Sequence, residues 1–532
     1  MTARRLALGA GFVAIAGLML AFAVQDRLAS FGDDSASYLV IANYFAGASG
    51  NAYAAQWAPY QSHFPPLFPA ILWLSGGAGD YRIAYGVVAT FAALALPLIH
   101  RHAARELGDG AALAVTALFL LMPTAWITLK GVMSESLYLF MAMACIAFFE
   151  SRIANRRPSQ VEGLLFGTLM ALACLSRTLG IALVAAYILH CTVRIAVKRE
   201  APSTRLAVPL VPVAVILALW YALRPTSGVD TYGRTAGQLL GQWLRDPTAM
   251  LAAAWGNLAA GWTSSFAVQA DVSVILATLT LALGALALAG VVLRVARNRF
   301  DGWFLLISLA IVFPWVFSGE NTRRLLYPLV PLLLVSGASA IRDAFDRGWI
   351  FDRARAYVSG IAIALTAVAS LPAFVLVVHK SLDRETVIPG YAYTYREVSE
   401  YYTTVNLDAA RDRAKLAVVT LAGLESIERE TPRDSRVMWM RPEYVGLLGH
   451  RPGVAFLYRW TPAELAREVQ RADVGYIVQG WLSKTDLEVA QGNARLDVGA
   501  YAHPSFQIGG IFELMQVDRA ALDRFVAQAA KP

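Results

Sequence analysis

Charge and cysteine are what this sequence has least of. Of its 532 residues only 16% are Asp, Glu, Lys or Arg, while 57% are hydrophobic. That balance excludes an ordinary soluble globule. The three cysteines, Cys145, Cys174 and Cys191, all fall inside apolar runs, which excludes a disulfide framework and a cysteine metal site. No P-loop and no G-x-G-x-x-G occurs, so direct use of a nucleotide has no support. Solenoid repeats and low-complexity tracts are missing too. A net charge of +8 would suggest nucleic acid in a soluble protein. Here basic membrane loops account for it, and no nucleic-acid partner is expected.

What the chain has instead is apolar runs near the roughly 20 residues that a helix needs to cross a bilayer. They fall at 6–24, 83–100, 111–128, 132–150, 161–176, 178–193, 206–223, 272–293, 302–318, 325–341 and 356–378. Backbone groups in lipid can be satisfied only within the segment, so each run is expected to be helical. The first run, with Arg4 and Arg5 before it and Ala21-Phe22-Ala23 at its end, has a signal-peptide outline but is long for one, and is read as an uncleaved span. About eleven spans place the two ends on opposite sides.

Basic residues set the orientation. Alternate connections carry Arg4 and Arg5, then Arg101 and Arg105, Arg152 with Arg156 and Arg157, Arg194 to Arg205, Arg294 to Arg299, and Arg342 to Arg355. The intervening short turns hold only Lys130, Arg177, Arg323 and Arg324. The amino terminus is therefore expected inside and the carboxyl tail outside. The expected fold class is an α-helical polytopic membrane protein with a small C-terminal extracytoplasmic α/β domain. Residues 1–378 form the membrane part, with outer loops at 25–82 and 224–271, and 379–532 form the α/β domain. In the first loop, 65–76 is too short to span and is expected to lie at the interface. In the tail, Thr461-Pro462-Ala463-Glu464 is a capping box opening a helix, among strand-like runs at 437–440, 476–479 and 506–517.

The polar residues that could carry chemistry gather on the outer side. Asp33 and Asp34 follow the first span, where a carboxylate can serve as general base or metal ligand; the bland alternative is a solvated turn with Asp34 capping the next helix. His63, before Phe64-Pro65-Pro66, can ligate a divalent cation or hydrogen-bond a phosphate, or be merely structural. Glu135 opens the fourth span, where a charge near hydrocarbon needs a role or a partner, the bland alternative being a simple ion pair with Lys130 or an arginine. Arg177, Arg323, Arg324 and Lys130 are outer cations able to bind phosphate, or else to snorkel to lipid headgroups.

Together, GDDSASYLVIANYFAG (32–47), HFPPLFPAILWL (63–74), MSESLYLF (133–140) and RRLLYPLVPLLL (323–334) resemble the GT-C superfamily of integral-membrane glycosyltransferases. The resemblance is to the branch of protein O-mannosyltransferases and bacterial aminoarabinose transferases of lipid A. It implies Asp33 as catalytic base with Asp34 beside it, Glu135 as a second acidic residue, and Arg324, with Arg323, Arg177 and Lys130, at the donor phosphate. Where aminoarabinose transferases place glutamate and lysine before the two prolines, this chain has His63 and Phe64, and His63 could replace that glutamate at a metal.

The implied activity is transfer of a sugar from a polyprenyl-phosphate donor to a lipid, protein or glycan acceptor, at the outer face of a bacterial-type inner membrane. Membrane lipids are partners of such a chain, and a divalent cation is a possible cofactor. The alternatives are a transporter or flippase, which predicts charged or broken helices at mid-membrane and related halves, and a membrane-anchored scaffold.

Overall fold

The computed structural model describes residues 3–29, 34–154, 158–197, 204–225, 231–267, 274–315, 317–347, 355–456, 460–480 and 498–529. Its membrane part begins with α1 (Ala3–Ala23), followed by the short helices α2 (Ser35–Ala46), α3 (Ala52–Ala55) and α4 (Leu67–Ser75). Then come α5 (Tyr81–Leu107), α6 (Asp109–Leu121), α7 (Pro123–Ile127), α8 (Glu135–Phe148), α9 (Gln160–Ser176) and α10 (Ile181–Ala196). The second half comprises α11 (Thr204–Ala207), α12 (Leu210–Leu223), α13 (Thr231–Arg245), α14 (Pro247–Phe266), α15 (Val274–Ala296), α16 (Phe300–Val312), α17 (Gly319–Leu326), α18 (Val330–Asp346) and α19 (Arg355–Ser381). The expected apolar runs are thus largely helical over their described residues. Among the described residues seven continuous helical stretches are long and apolar enough to span, some joining an α-helix to an adjacent helical turn, as in Glu135–Ile153, Thr178–Ala196 and Arg205–Leu223. Gln160–Ser176 and Phe300–Trp315 are shorter apolar helices. The run at 111–128 is bent: Asp109–Leu121 and Pro123–Lys130 meet at 65°, because Pro123 has no N–H to continue the helical ladder.

Close helix packing rests on small residues, as expected where lipid tails are as apolar as the helices themselves. A Cβ on Gly290 of α15 would lie 2.0 Å from the Ser336 carbonyl oxygen of α18. The turn between α9 and α10 needs a second glycine, since a Cβ on Gly180 would stand 2.5 Å from the Ala173 carbonyl. That turn, near Arg177, separates what could have been one long helix into two.

Beyond α19 the chain forms α20 (Leu407–Glu430), β1 (Arg436–Trp439), α21 (Pro442–Gly449), β2 (Gly453–Ala455), α22 (Pro462–Arg471), β3 (Val474–Gln479), β4 (Ala502–Ile508), β5 (Phe512–Val517) and α23 (Arg519–Ala529). The sheet order is β2-β1-β3-β5-β4. β1 runs parallel to β2 and β3, and β5 antiparallel to β3 and β4. The capping box is formed, with Glu464 N–H donating to Thr461 Oγ1 at 3.2 Å. The run at 506–517 is two strands, not one: Gly509 and Gly510 both take positive φ and turn it into a hairpin, a conformation glycine adopts without steric cost. This region sits on the first loop. Asn51 Nδ2 donates to the Gly446 carbonyl at 2.8 Å, and Arg27 lies over the Tyr393 ring and 3.5 Å from Glu425.

Candidate active site

The site is assembled where α2, α8, α9 and α17 converge. Asp34 occupies the residue before α2, yet its carboxylate makes no capping hydrogen bond. It accepts instead from Arg324 Nη2 at 2.9 Å. The solvated-cap alternative for Asp34 is therefore not what the structure contains.

Arg324 also donates to Glu135 Oε1, from Nε at 3.1 Å and from Nη2 at 3.0 Å. Arg177 Nη1 stands 2.8 Å from the same Oε1 oxygen. The result is a row, Asp34–Arg324–Glu135–Arg177, drawn from across the membrane part. Glu135 is fully buried, Arg324 and Arg177 are 16% and 14% exposed, and Asp34 is 37% exposed. A charge this deep is tolerated because it is paired on both sides. Its place in the first turn of α8 adds the favourable field of a helix N-terminus. Of the two partners open to Glu135 in the sequence, Lys130 or an arginine, the structure uses arginine, and Lys130 does not pair with it. Glu135 Oε2, in turn, is buried without a donor among the described residues.

Helix packing aims these groups. Arg177 caps α9 just before the tight turn at Gly180, whose N–H donates to the Arg177 carbonyl at 2.8 Å. Arg324 rides on α17, which lies so close to α14 that a Cβ on Gly261 would reach Thr322 Cβ at 2.7 Å. The proline-rich re-entry supplies the aromatic wall: Phe64 and Phe68 both stand edge-on to Tyr38 at 5.1 Å. The Tyr38 hydroxyl is 2.7 Å from Ser134 Oγ, next to Glu135. Burial pushes the Tyr38 phenol far above its ordinary range, so it stays protonated and available as a donor. Ser35 Oγ accepts from Val132 N–H at 3.0 Å and ties the start of α2 to the same loop. Ser35 and Ser134 are unremarkable in sequence; only the pairing of loops reveals them.

Not every expected residue joins the row. Asp33 lies outside the described residues. Lys130 turns away, donating to the Phe22 carbonyl at 2.6 Å and lying over the Phe22 and Tyr402 rings. Arg323 is buried, and its backbone N would lie 3.0 Å from a Cβ on Gly261 of α14. His63 packs on Phe64 with ring centroids 4.3 Å apart. Burial lowers the pKa of its imidazole, and the nearby charge of Asp34 opposes that shift. Among the described residues no three His, Cys, Asp or Glu side chains converge on one point, and both described acids of the row are already held by arginine.

The fold defines a class: a polytopic helical membrane protein carrying a buried acid–arginine row at one end. Two crystal structures of ArnT from Cupriavidus metallidurans share that fold. The form bound to undecaprenyl phosphate superposes with a TM-score of 0.54 at 14% identity, covering 97% of this chain and 99% of that one. The apo form gives 0.53 at 14% identity over 98% and 99%. The archaeal oligosaccharyltransferase AglB from Archaeoglobus fulgidus, in complex with an inhibitory peptide and a dolichol-phosphate, aligns at 0.47 with 12% identity over 98% and 75%. No family model and no curated protein matches the chain.

Proposed function

We propose that this protein is a membrane glycosyltransferase that moves a sugar from a polyprenyl-phosphate donor to a hydroxyl-bearing acceptor. The observation that carries the reading is the Asp34–Arg324–Glu135–Arg177 row. Glu135, fully buried between two nearly buried arginines, is a fixed electrostatic base; Asp34, the most exposed member, makes the exchangeable contact with Arg324. A donor phosphate takes the place of Asp34 at Arg324 and frees that carboxylate, while Glu135 keeps the guanidinium oriented. Asp33, with Asp34 beside it, accepts the proton of the acceptor hydroxyl as the oxygen attacks the anomeric carbon. The bond from that carbon to the phosphate oxygen breaks, and polyprenyl phosphate departs with the electron pair from the opposite face, so configuration inverts. Arg324, supported by Arg177, stabilises the charge growing on the departing phosphate. ArnT, which shares the fold, binds undecaprenyl phosphate, and this supports the donor class.

The orientation belongs to the same proposal. Arg105, Arg194, Arg297 and Arg299 cluster at the end of the bundle away from the row, which supports a cytoplasmic far end and a site on the outer face of a bacterial-type inner membrane. Residues 379–532 would then form an extracytoplasmic domain. The acceptor class, whether lipid, protein or glycan, is left as a hydroxyl. The test is sugar transfer from polyprenyl-phosphate donors by wild type, Asp33→Asn and Asp34→Asn. Loss of transfer in Asp33→Asn with donor binding retained is expected; full activity in both variants overturns the base assignment.

A further inference from the structure

The far end of the bundle holds a second polar centre that the proposed transfer does not use. At 1.5 Å per residue, Glu150 stands roughly 22 Å from Glu135 along α8 and its continuation. Around Glu150 a cavity of about 380 Å³ opens between the ends of α5, α8 and α10 and the turn joining α15 to α16.

Its walls are fixed from behind. Asn298, a non-glycine residue at φ 54°, donates from Nδ2 to the His190 carbonyl at 3.1 Å and accepts from His190 Nδ1 through its own carbonyl at 2.8 Å. Trp303 Nε1 donates to Asn298 Oδ1 at 2.8 Å. Below them Arg294 joins Asp301, Glu106 and Ser339. This is a built recess, not a gap between loose side chains.

Its rim and floor carry opposite charge. Arg105, Arg297 and Arg299 are 39%, 45% and 40% exposed, and each is held by a partner: the Glu150 carbonyl at 3.2 Å, Asp343 at 2.8 Å and Glu106. A guanidinium has five donors, and these pairs use one or two. On the floor, Glu150 Oε1 meets His102 Nδ1 at 2.8 Å. Glu150 Oε2 is buried and finds no hydrogen-bond donor among the described residues, Arg105 Nη1 standing 3.8 Å away. A buried carboxylate oxygen in that state calls for a donor from outside.

We propose that this cavity binds a phosphate ester carrying an amine a few atoms away, the chemistry of a phosphoethanolamine group. The phosphate sits among Arg105, Arg297 and Arg299, and the ammonium reaches Glu150 Oε2. Two sources share that chemistry: the headgroup of a phospholipid in the adjoining leaflet, and a soluble phosphoethanolamine.

The purified full-length protein in detergent is titrated with dihexanoyl phosphatidylethanolamine, O-phosphoethanolamine and inorganic phosphate. Saturable binding of either amine-bearing probe is expected, with inorganic phosphate weaker. Binding of the lipid alone assigns the lipid source, and equal binding of both assigns the soluble one; either supports the site. Arg297→Gln combined with Arg299→Gln should weaken both amine-bearing probes at least about tenfold. Because those arginines also hold acids, Glu150→Gln is the second arm: nearly the same shape, it should weaken the amine-bearing probes while leaving inorganic phosphate unchanged. No saturable binding, wild-type affinity in both variants, or inorganic phosphate binding as tightly as phosphoethanolamine overturns the proposal.

Discussion

At the scale of single residues the row is defined by what its charges cannot do without. Glu135 has no solvent to fall back on, so Glu135→Gln would leave Arg177 and Arg324 facing a neutral amide. Removing one partner of a buried pair typically costs about 3–5 kcal/mol. The variant is expected to lose that order of stability in denaturant unfolding followed by a probe inside the bundle, and its donor use should fall because Arg324 loses its anchor. Unchanged unfolding would show that the pairs contribute little. His63 gives a pH prediction. Burial lowers its folded-state pKa, so below the ordinary histidine value, about 6.5, the unfolded chain binds the extra proton first. Stability is then present above that value and declines as pH falls through it. Thermal unfolding from pH 8 to pH 5 should show the decline in wild type and a shallower one in His63→Gln. The acids and arginines of this row were legible in the sequence as polar residues stranded at the ends of apolar runs. Their partners were not: Asp34 pairs with Arg324 across nearly the whole membrane part, and Lys130 turns to a backbone carbonyl, because pairing depends on how distant helices pack.

At the scale of elements, apolar period and proline placement carry far into the structure, and close packing decides the rest. The expected runs are largely helical over their described residues, because lipid leaves the backbone no alternative. The bend at Pro123 and the hairpin at Gly509 and Gly510 depend on local backbone chemistry that a run of hydrophobic letters conceals. Helix α17 is where packing meets function, since Arg324 can reach Glu135 only while α17 lies tight on α14. Gly261→Val would place methyl groups where Thr322 Cβ and the Arg323 backbone N already stand, at 2.7 and 3.0 Å from even a first Cβ. The backbone at 323 cannot yield without moving Arg324. Overpacking of this kind costs about 1–3 kcal/mol, a modest loss for a bundle of this size. Donor kinetics should fall roughly tenfold or more while the protein still purifies as a folded membrane protein. Wild-type kinetics in Gly261→Val would separate α17 from the site.

At the scale of the whole molecule the question is why a membrane bundle carries an α/β region seated on the very loop that holds its acids. A polar relay connects the two. The Gly446 carbonyl of α21 accepts from Asn51; the backbone N–H of Asn51 donates to Asn43 Oδ1 at 2.8 Å; Asn43 Nδ2 donates to Ala78 at 3.2 Å. Asn43 lies within α2, whose first residue follows Asp34, so the seat of α21 sets the rotation of the helix that presents the acid. The fit leaves no slack, since a Cβ on Gly446 would lie 2.3 Å from the Tyr53 carbonyl oxygen. Gly446→Val should therefore lift α21 from α3 while β1 to β5 stay paired. The expected signature is faster hydrogen exchange across 47–61, unchanged exchange in the strands, and reduced transfer. Lost protection in the strands would mean that the region had simply unfolded; unchanged exchange across 47–61 would mean that α2 is held from the bundle alone. The first outcome makes the α/β region part of what aims Asp34, and gives a physical reason for the bundle to keep it folded against the first loop.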